Sequence, residues 1–375
     1  MNFTLDEQQG LIRESVARFV TDHFDLGRYR SAIREIAPVD KAVWGRFAEL
    51  GWLALPFDET DGGFGGGPVE TMVLMEEFGK GLIRAPWLAT VVLGGGFLKR
   101  AGEALRGQYL PKLMAGQLQL AFAADEYGRL SDPSGCQLRA EKEADGWRLN
   151  GSKCLVLNGD QADYLVVLAR SEGQPGDRQG LTLLLVDADA EGVLRQPHRL
   201  VDGRQAAEIR FVDVRVPADV LIGEPGAALP LVEAVQREAI LALAAEAQGA
   251  LSVLLDSTVE YAKTRKQFGV AIGSFQSLQH RMADMFMLCE QSRSLLLAAT
   301  LKVAEGHDDA DRAVHALKAQ LGRGGRKVAQ EAIQIHGGIG MTDELAIGHY
   351  FKRLVGVDAL FGTADQHLAI LAGLA

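Results

Sequence analysis

Two stretches in the last third of the sequence carry the residues best suited to binding a charged ligand. The first contains Arg265 and Gln276, and the second contains Gln334, Gly337 and Gly338. An arginine can pair with a diphosphate through charge-assisted hydrogen bonds, and glutamine amides both donate and accept. Glycines have no Cβ, so their backbone N–H groups can approach a phosphate or a ribose closely.

Each of these residues alone also fits an ordinary structural role. Paired glycines after a helix commonly form its C-cap, and an arginine near a helix end commonly binds the last free carbonyls. Isolated motifs are weak evidence. The joint spacing of the two stretches is what favours a ligand site.

Few other side chains suggest catalysis by themselves. His336 lies inside the second stretch, where packing or structural hydrogen bonding is favoured over acid–base chemistry. Glu238 lies on a predicted long helix and is favoured as a solvated or paired carboxylate. Asp365 falls in the first turn of the last predicted helix, where a negative charge complements the helix dipole.

Composition excludes several classes of protein. The chain has 375 residues, of which 47% are hydrophobic, and its formal net charge is -10, which argues against non-specific nucleic-acid binding. The N-terminus is acidic where a signal peptide would be basic, and the apolar run 239–245 is too short to span a bilayer. Three widely spaced cysteines predict buried thiols in a reducing cytoplasm and no metal site.

Periodicity divides the chain into three regions. Residues 1–115 predict helices, beginning at a capping-box pattern over Thr4–Glu7, with an apolar stripe and a glycine-rich loop over Asp61–Gly67. Residues 116–225 predict short strands, including a hairpin turn at Asp145-Gly146 and the strand-like runs 164–169, 181–186 and 209–216. Strands without long intervening helices predict an antiparallel β-barrel or a sandwich.

Residues 226–375 are helical again. We predict helices over 229–268, 275–306, 309–336 and 343–355, and a last helix from the capping-box pattern Thr363–Gln366. Four long helices imply a bundle. The predicted fold is therefore α+β: an N-terminal helical domain, a central antiparallel β-barrel and a C-terminal four-helix bundle.

The two stretches also carry a family resemblance. The first reads Tyr261-Ala-Lys-Thr-Arg-Lys-Gln-Phe-Gly269 and continues with Ile272-Gly-Ser-Phe-Gln276 and Gln279, and the second reads Gln334-Ile-His-Gly-Gly-Ile-Gly-Met-Thr342. They closely resemble two C-terminal signatures of the acyl-CoA dehydrogenase family. The three-domain order agrees along essentially the whole chain. The resemblance implies that family's fold, FAD as cofactor, and α,β-dehydrogenation of an acyl-CoA thioester.

In this family FAD lies between two subunits, one supplying the flavin-ring pocket and its neighbour the contacts at the adenine end. The resemblance implies that cofactor-binding residues lie at Arg265, Gln267, Phe268, Gln276, Gln334, Gly337, Gly338, Thr363 and Ser131.

On the flavin-ring side the sequence departs from the family. Relatives carry T-E-P-G-x-G-S-D where this chain reads 125–132, so Asp125 replaces the threonine that serves the flavin, while Ser131 and Asp132 remain. The next strand resembles W-I-T-N in relatives, but here Leu155 and Leu157 replace the tryptophan and the threonine. A carboxylate near the flavin would disfavour the anionic reduced ring.

The catalytic base is also missing where relatives have it. Many carry Y-E-G-T before the last helix, and here Phe361 stands in the place of the glutamate. A phenyl ring cannot accept a proton. Other relatives place the base and a substrate-holding arginine on the long helix, at the positions of Ala239 and Ile240. Glu238 is one residue away, about 100° around the helix.

These losses leave three hypotheses. The chain could be the subunit without a base in a heteromeric enzyme, a heterotetramer with a base-bearing homologue, similar to the degenerate subunits of bacterial steroid acyl-CoA dehydrogenases. It could instead be a self-sufficient homo-oligomer that uses Glu238, or a flavin-free scaffold. An electron-transfer acceptor protein is a further implied partner, and neither nucleic acid nor membrane insertion is expected.

Overall fold

The computed structural model describes residues 4–23, 25–34 and 40–373, which fall into two units. The sheet unit draws its described residues from Ile36–Gly66 and Arg84–Ala239, and the helical unit from Met1–Glu35, Gly67–Ile83 and Ile240–Ala375. The predicted division into three domains, at 115/116 and 225/226, stays a prediction.

The sheet unit is built around one eight-stranded sheet. Its strands are β1 Leu120–Ala123, β2 Arg139–Glu143, β3 Gly146–Leu157, β4 Tyr164–Arg170, β5 Leu181–Asp187, β6 Val193–Arg199, β7 Gln205–Pro217 and β8 Leu221–Ile222. The strand predictions over 164–169, 181–186 and 209–216 are therefore confirmed. The central strands β4 and β5 are buried along nearly their whole length, which explains their continuous apolar sequence.

The prediction of a closed antiparallel barrel is wrong, because the sheet is open. The strand order is β6-β7-β3-β2-β4-β5-β8, with β1 paired to β4, so β6 and β8 form two edges. Closure would require those edges to pair. Instead β6 is largely exposed and carries arginines and a proline, and β8 has two residues, which are common ways of protecting an edge. Strands β1 and β2 also run parallel to β4.

The predicted hairpin forms between β2 and β3, but its turn lies one residue earlier than the Asp145-Gly146 pattern suggests. Glu143 pairs with Gly146, which leaves Ala144 and Asp145 as the two turn residues. Gly146 belongs to β3, and a Cβ there would collide with the carbonyl oxygen of Val216 on β7. The glycine is thus required by close strand packing and not by the turn.

Short helices complete the sheet unit: α3 Lys41–Glu49, a π-helix Leu88–Gly94, α5 Gly95–Leu98 and α6 Glu103–Met114. Trp87, which precedes the π-helix, is almost fully buried and donates its indole N–H to the carbonyl of Trp52 at 3.1 Å.

The helical unit contains α1 Glu7–His23, α2 Leu26–Arg34, α4 Pro68–Lys80, most of α7 Leu229–Thr264, α8 Gln276–Ala304, α9 Ala310–Gln320, α10 Arg326–His336, α11 Ile347–Ala359 and α12 Ala364–Leu371. It also holds a small hairpin of β9 Lys266–Gln267 and β10 Val270–Ala271. A π-helix, Leu321–Gly325, joins α9 to α10.

The predicted C-terminal helices are present, with shifted ends. The long helix stops at Thr264, short of the predicted residue 268, because the chain turns into the β9–β10 hairpin, and α11 begins at Ile347 and not at residue 343. The capping box at Thr363 and Gln366 is confirmed. The one predicted at Thr4 is wrong, because Asp6 and Gln9 exchange the two bonds.

Helix α4, from the N-terminal part of the chain, packs closely against α7 of the C-terminal helices. A Cβ on Gly79 would collide with the carbonyl oxygen of Glu246, and a Cβ on Gly249 would collide with that of Glu76. Two glycines therefore allow these helix backbones to touch. The Glu246 carboxylate, almost fully buried, forms a bidentate ion pair with Arg353 at 2.6 and 2.9 Å.

Among the described residues, one helix is long and apolar enough to cross a membrane. This is α7, whose most apolar 18-residue window has a mean hydropathy of 1.5 and is 78% buried within the protein. The helix extends well beyond the apolar run 239–245 at both ends. Because most of its apolar surface is covered by protein, α7 is a buried core helix.

Candidate active site

The first of the two candidate ligand-binding stretches leaves α7 and forms an exposed hairpin. Arg265, Gln267 and Gln276 are all exposed, and within the described ranges the Arg265 guanidinium has no ion pair or hydrogen bond. Phe268 lies at the hairpin tip with φ at +52° and its side chain is 93% exposed. The exposed phenyl ring of Phe268 is unfavourable in water, and the nearby unpaired Arg265 is available to an anion, so the hairpin fits a surface that a ligand or a partner covers.

The second stretch ends α10. Gly337 has φ at +67°, and its N–H bonds the carbonyls of Gln334 and Ile333, so it forms the C-cap expected of a glycine there. That N–H is therefore occupied. A Cβ on Gly338 would meet no atom within 4 Å, so the open backbone lies at this second glycine. Gln334 and both glycines are exposed.

Tyr261 joins the two stretches. Its ring stacks on His336 with centroids 4.4 Å apart, and its hydroxyl donates to the His336 carbonyl oxygen at 3.4 Å. His336 is buried, with Nδ1 2.8 Å from the carbonyl oxygen of Ala332, and burial lowers its pKa. The expectation that this histidine packs and bonds structurally agrees with these contacts.

The loop between α11 and α12 holds Phe361 in a strained conformation. Phe361 has φ at +58° and Gly362 at +97°, a left-handed pair that a bulky residue adopts only when its surroundings enforce it. Two buried side chains enforce it here. Lys318 donates to the Gly362 carbonyl at 2.5 Å, and His367 Nε2 lies 2.9 Å from the Phe361 carbonyl.

Both anchoring groups are perturbed by burial. Burial lowers the pKa of Lys318 to about 8 and that of His367 to about 4. His367 Nδ1 lies 2.8 Å from Nδ1 of His315, so the two neutral imidazoles share one hydrogen bond. The loop that would present the base is thus fully anchored, but it presents a phenyl ring.

Thr363 and Asp365 follow on the same loop. The Thr363 hydroxyl accepts from the Gln366 N–H at 3.4 Å and caps α12, while the side chain stays exposed. Asp365, in the first helical turn, pairs with Arg323 at 2.9 Å. Both residues have the structural roles typical of a helix N-terminus.

Glu238 is held in a cluster of cations. Its carboxylate lies 3.3 Å from the Lys99 amine and forms a bidentate ion pair with Arg100. These partners hold its pKa below the ordinary value against the opposing effect of burial. A general base works best with a pKa near the operating pH. The neighbouring positions, Ala239 and Ile240, are buried and apolar.

On the ring side, Asp125 folds back on its own loop. Its Oδ1 accepts the backbone N–H of Ser131 at 2.7 Å, and Ser131 has φ at +59°. Burial raises the pKa of Asp125, although the Ser131 bond and the nearby charge of Lys153 oppose the shift.

Leu155 lies at a bulge in β3, where the register with β7 shifts between Lys153 and Val156. Its φ is +50°, a strained value for leucine, and both Leu155 and Leu157 are half-buried. Bulges often lie beside active sites, where they redirect a side chain. The bulge here redirects an aliphatic side chain, which offers neither an aromatic platform nor a hydroxyl.

Sequence reasoning missed the ion pair that supports this region. Lys153 and Glu126, both almost fully buried, are 2.7 Å apart, and Glu126 also accepts the N–H groups of Gln137 and Leu138. It also missed Tyr127 and Leu130, two exposed apolar residues in the same loop. Leu130 stands where the family pattern has its second glycine, and this departure was the signal available in the sequence.

Comparison with known proteins identifies the family. The acyl-CoA dehydrogenase N-terminal, middle and C-terminal domain models match residues 6–117, 121–214 and 234–373. The chain belongs to the acyl-CoA dehydrogenase family. These oxidoreductases use FAD. All three cysteines of the chain are free and buried, and the described ranges contain no candidate metal cluster.

One relative and two solved structures illustrate the similarity. A probable acyl-CoA dehydrogenase of Bacillus subtilis, YngJ, is 29% identical over 378 residues, which cover 99% of both chains. The structure of PigA with FAD and proline has a TM-score of 0.93 and 30% identity, with full coverage of both chains. The ChsE4-ChsE5 complex from Mycobacterium tuberculosis has a TM-score of 0.89 and 26% identity, covering 100% of this chain and 98% of that one.

The described residues fit one half of a family FAD site and not the other. The adenine-side stretches are exposed, with an unpaired Arg265 and open backbone at Gly338. The ring-side residues do not fit, because Asp125 bonds its own loop and two leucines replace the aromatic and hydroxyl contacts.

Proposed function

We propose that this chain is the subunit without a catalytic base in a heteromeric, FAD-dependent acyl-CoA dehydrogenase. The observation that carries the proposal is the anchored loop at Phe361. Lys318 and His367 hold the backbone of the base position in place, yet the side chain there has no proton-accepting atom. A homologous subunit must then supply the base.

The alternative base within the chain is poorly suited. Glu238 is bound by Lys99 and Arg100, and releasing it would leave two partly buried cations without their partner. Its lowered pKa also makes it a weaker proton acceptor. These contacts support the heteromeric hypothesis over the self-sufficient one.

The exposed adenine-side residues support a role for this chain toward its partner. When bound, FAD accepts the hydride that leaves the β-carbon of the acyl thioester. This chain's part is to bind and orient. Arg265 would neutralise diphosphate charge, Gln276 and Gln334 would offer amide hydrogen bonds, and Gly338 would allow close backbone approach.

The other assigned residues differ in what they can offer a cofactor. Phe268 and Gln267 lie on the same exposed hairpin as Arg265, which supports their inclusion. The Gly337 N–H already caps α10, so it is not a free donor, whereas the Thr363 hydroxyl accepts the Gln366 N–H and keeps its own hydrogen for donation. We further propose an electron-transfer protein as acceptor and, from the three buried thiols, a reducing cytoplasmic setting.

The ChsE4-ChsE5 complex is compatible with this assembly, since two named chains form it. The proposal predicts a heterotetramer in which the adenine-side stretches of this chain face the ring-side residues of a base-bearing homologue.

The decisive test is expression of the chain alone and together with a homologous chain that retains the base. Flavin absorbance and acyl-CoA turnover are measured for both preparations. The pair should be yellow and active, and the lone chain should be slower by at least the ~10²–10⁴ attributed to a general base. Turnover at an ordinary rate by the lone chain, abolished by Glu238→Gln, would show that the chain is self-sufficient. A colourless pair would favour the flavin-free scaffold.

A further inference from the structure

The loop 125–132 contains a carboxylate that has no cation of its own. Within the described ranges no lysine, arginine or histidine nitrogen lies within ion-pair distance of Asp125. The nearest candidate, Lys153, is committed to Glu126 at 2.7 Å, to the Ala124 carbonyl at 3.0 Å and to the Cys136 thiol at 3.3 Å. A half-buried carboxylate without a counter-ion is costly unless hydrogen bonds stabilise it.

The hydrogen bond that stabilises Asp125 comes from within the loop. Ser131 donates its backbone N–H at 2.7 Å, and the loop between the two residues closes through a bridge between Glu126 and Arg129. The loop is also fastened to β3, because the Cys154 N–H donates to the Asp125 carbonyl at 2.8 Å. Leu155, at the strained bulge, is the next residue along that strand. Asp125 is thus linked to the serine of the loop by its side chain and to the strand beside the bulge by its backbone carbonyl.

We propose that Asp125 is an internal ligand that closes the ring-side half-site of this chain to FAD. Its carboxylate accepts the hydrogen bond of the Ser131 N–H. It also places a negative charge where relatives have the neutral hydroxyl of a threonine. This inference rests on the proposed function, in which this chain contributes only the adenine-side contacts to an FAD whose ring is bound by the partner. A second FAD with its ring bound by this chain would serve no catalytic base. The heteromer should then bind one FAD for each pair of different chains.

The physical reason is the combined loss of a donor and gain of a like charge. The reduced flavin ring is anionic in many settings, so a fixed carboxylate beside it raises the free energy of binding of the ring. An amide N–H already bonded to a charged acceptor must break that bond before it can serve a ligand. A leucine in the place of a ring contact only removes an attraction, whereas Asp125 adds a repulsion.

The test compares FAD affinity in lone-chain variants, where a second copy supplies the adenine side. Leu155→Trp with Leu157→Thr restores the two missing contacts and keeps Asp125. A triple variant adds Asp125→Thr, and a matched triple adds Asp125→Asn, which keeps an acceptor for Ser131 but removes the charge. Fluorescence titration with FAD should show binding at least about tenfold tighter in the Thr triple than in the double variant, with the Asn triple between them.

Equal FAD dissociation constants in the double and the Thr triple, whether both tight or both undetectable, would overturn the inference. Amide exchange provides a readout without FAD. Exchange over residues 125–132 should be faster in Asp125→Ala than in the unmodified chain, and identical exchange would remove the internal bond on which the proposal depends. Turnover by the unmodified lone chain would instead refute the proposed function, so the two failures are distinguishable.

Discussion

The ring of Tyr261 stacks on the imidazole of His336 at 4.4 Å, with the two planes inclined by 25°. This contact fixes the end of α7 against the end of α10 and so sets the distance between the two ligand-binding stretches. Tyr261→Ala should lower the free energy of unfolding by about 2 kcal/mol and weaken FAD retention by the complex. Tyr261→Phe keeps the stacked ring and should stay near the unmodified protein in both measurements. Equal effects of Ala and Phe would assign the contribution to the hydroxyl.

Arg265→Ala should release FAD from the complex with the partner. A charge-assisted contact is worth about 1.5–3 kcal/mol, so the dissociation constant should rise by roughly ten- to a hundredfold. Lys263→Ala is the matched control, since Lys263 is also exposed but is paired with Glu260 at 2.6 Å. Flavin content after gel filtration measures both. Equal retention in the two variants would argue that Arg265 makes no contact with the cofactor.

Glu238→Gln should leave the turnover of the heteromeric pair unchanged within about twofold, because the carboxylate is engaged by Lys99 and Arg100. The same change should lower the melting temperature, since it leaves two partly buried cations facing a neutral side chain. Thermal unfolding and steady-state kinetics on one preparation separate the two effects. A turnover loss of a hundredfold or more with unchanged stability would show that Glu238 acts in the chemistry.

Acid should destabilise the loop that carries Phe361. The pKa of His367 in the folded chain is about 4, below its ordinary value of 6.5. The neutral form is therefore favoured by folding, so the contribution of His367 is complete above pH 6.5 and declines as pH falls toward 4. Between pH 7.5 and 5 the loss should be about 2 kcal/mol, measured by urea unfolding. His367→Gln should flatten this dependence, and an unchanged slope would assign it to another group.

Gly79→Ala should be strongly destabilising, since its methyl group would collide with the Glu246 carbonyl where α4 meets α7. We expect a loss of at least about 3 kcal/mol in the free energy of unfolding. Gly107→Ala is the control, because it lies on an exposed face of α6 with no atom near the added methyl group. That change should be neutral or stabilising by up to about 1 kcal/mol. Similar stability of the two variants would mean that α4 and α7 can move apart to fit the methyl group at little cost in free energy.

The sequence by itself determined the family, the order of helical and strand regions, and the absence of a base at residue 361, because these depend on residue identity, local periodicity and spacing. Only the tertiary structure decided that the sheet stays open, since closure depends on whether β6 and β8 meet, and neither strand encodes that locally. The ion-pair partners of Glu238 and the hydrogen-bond donor to Asp125 could not be predicted from the sequence either. Lys99 and Arg100 lie more than a hundred residues before Glu238, and the bond from Ser131 to Asp125 depends on a left-handed serine. Such contacts arise from the way the folded chain brings distant or strained backbone together, and no periodic pattern reports them.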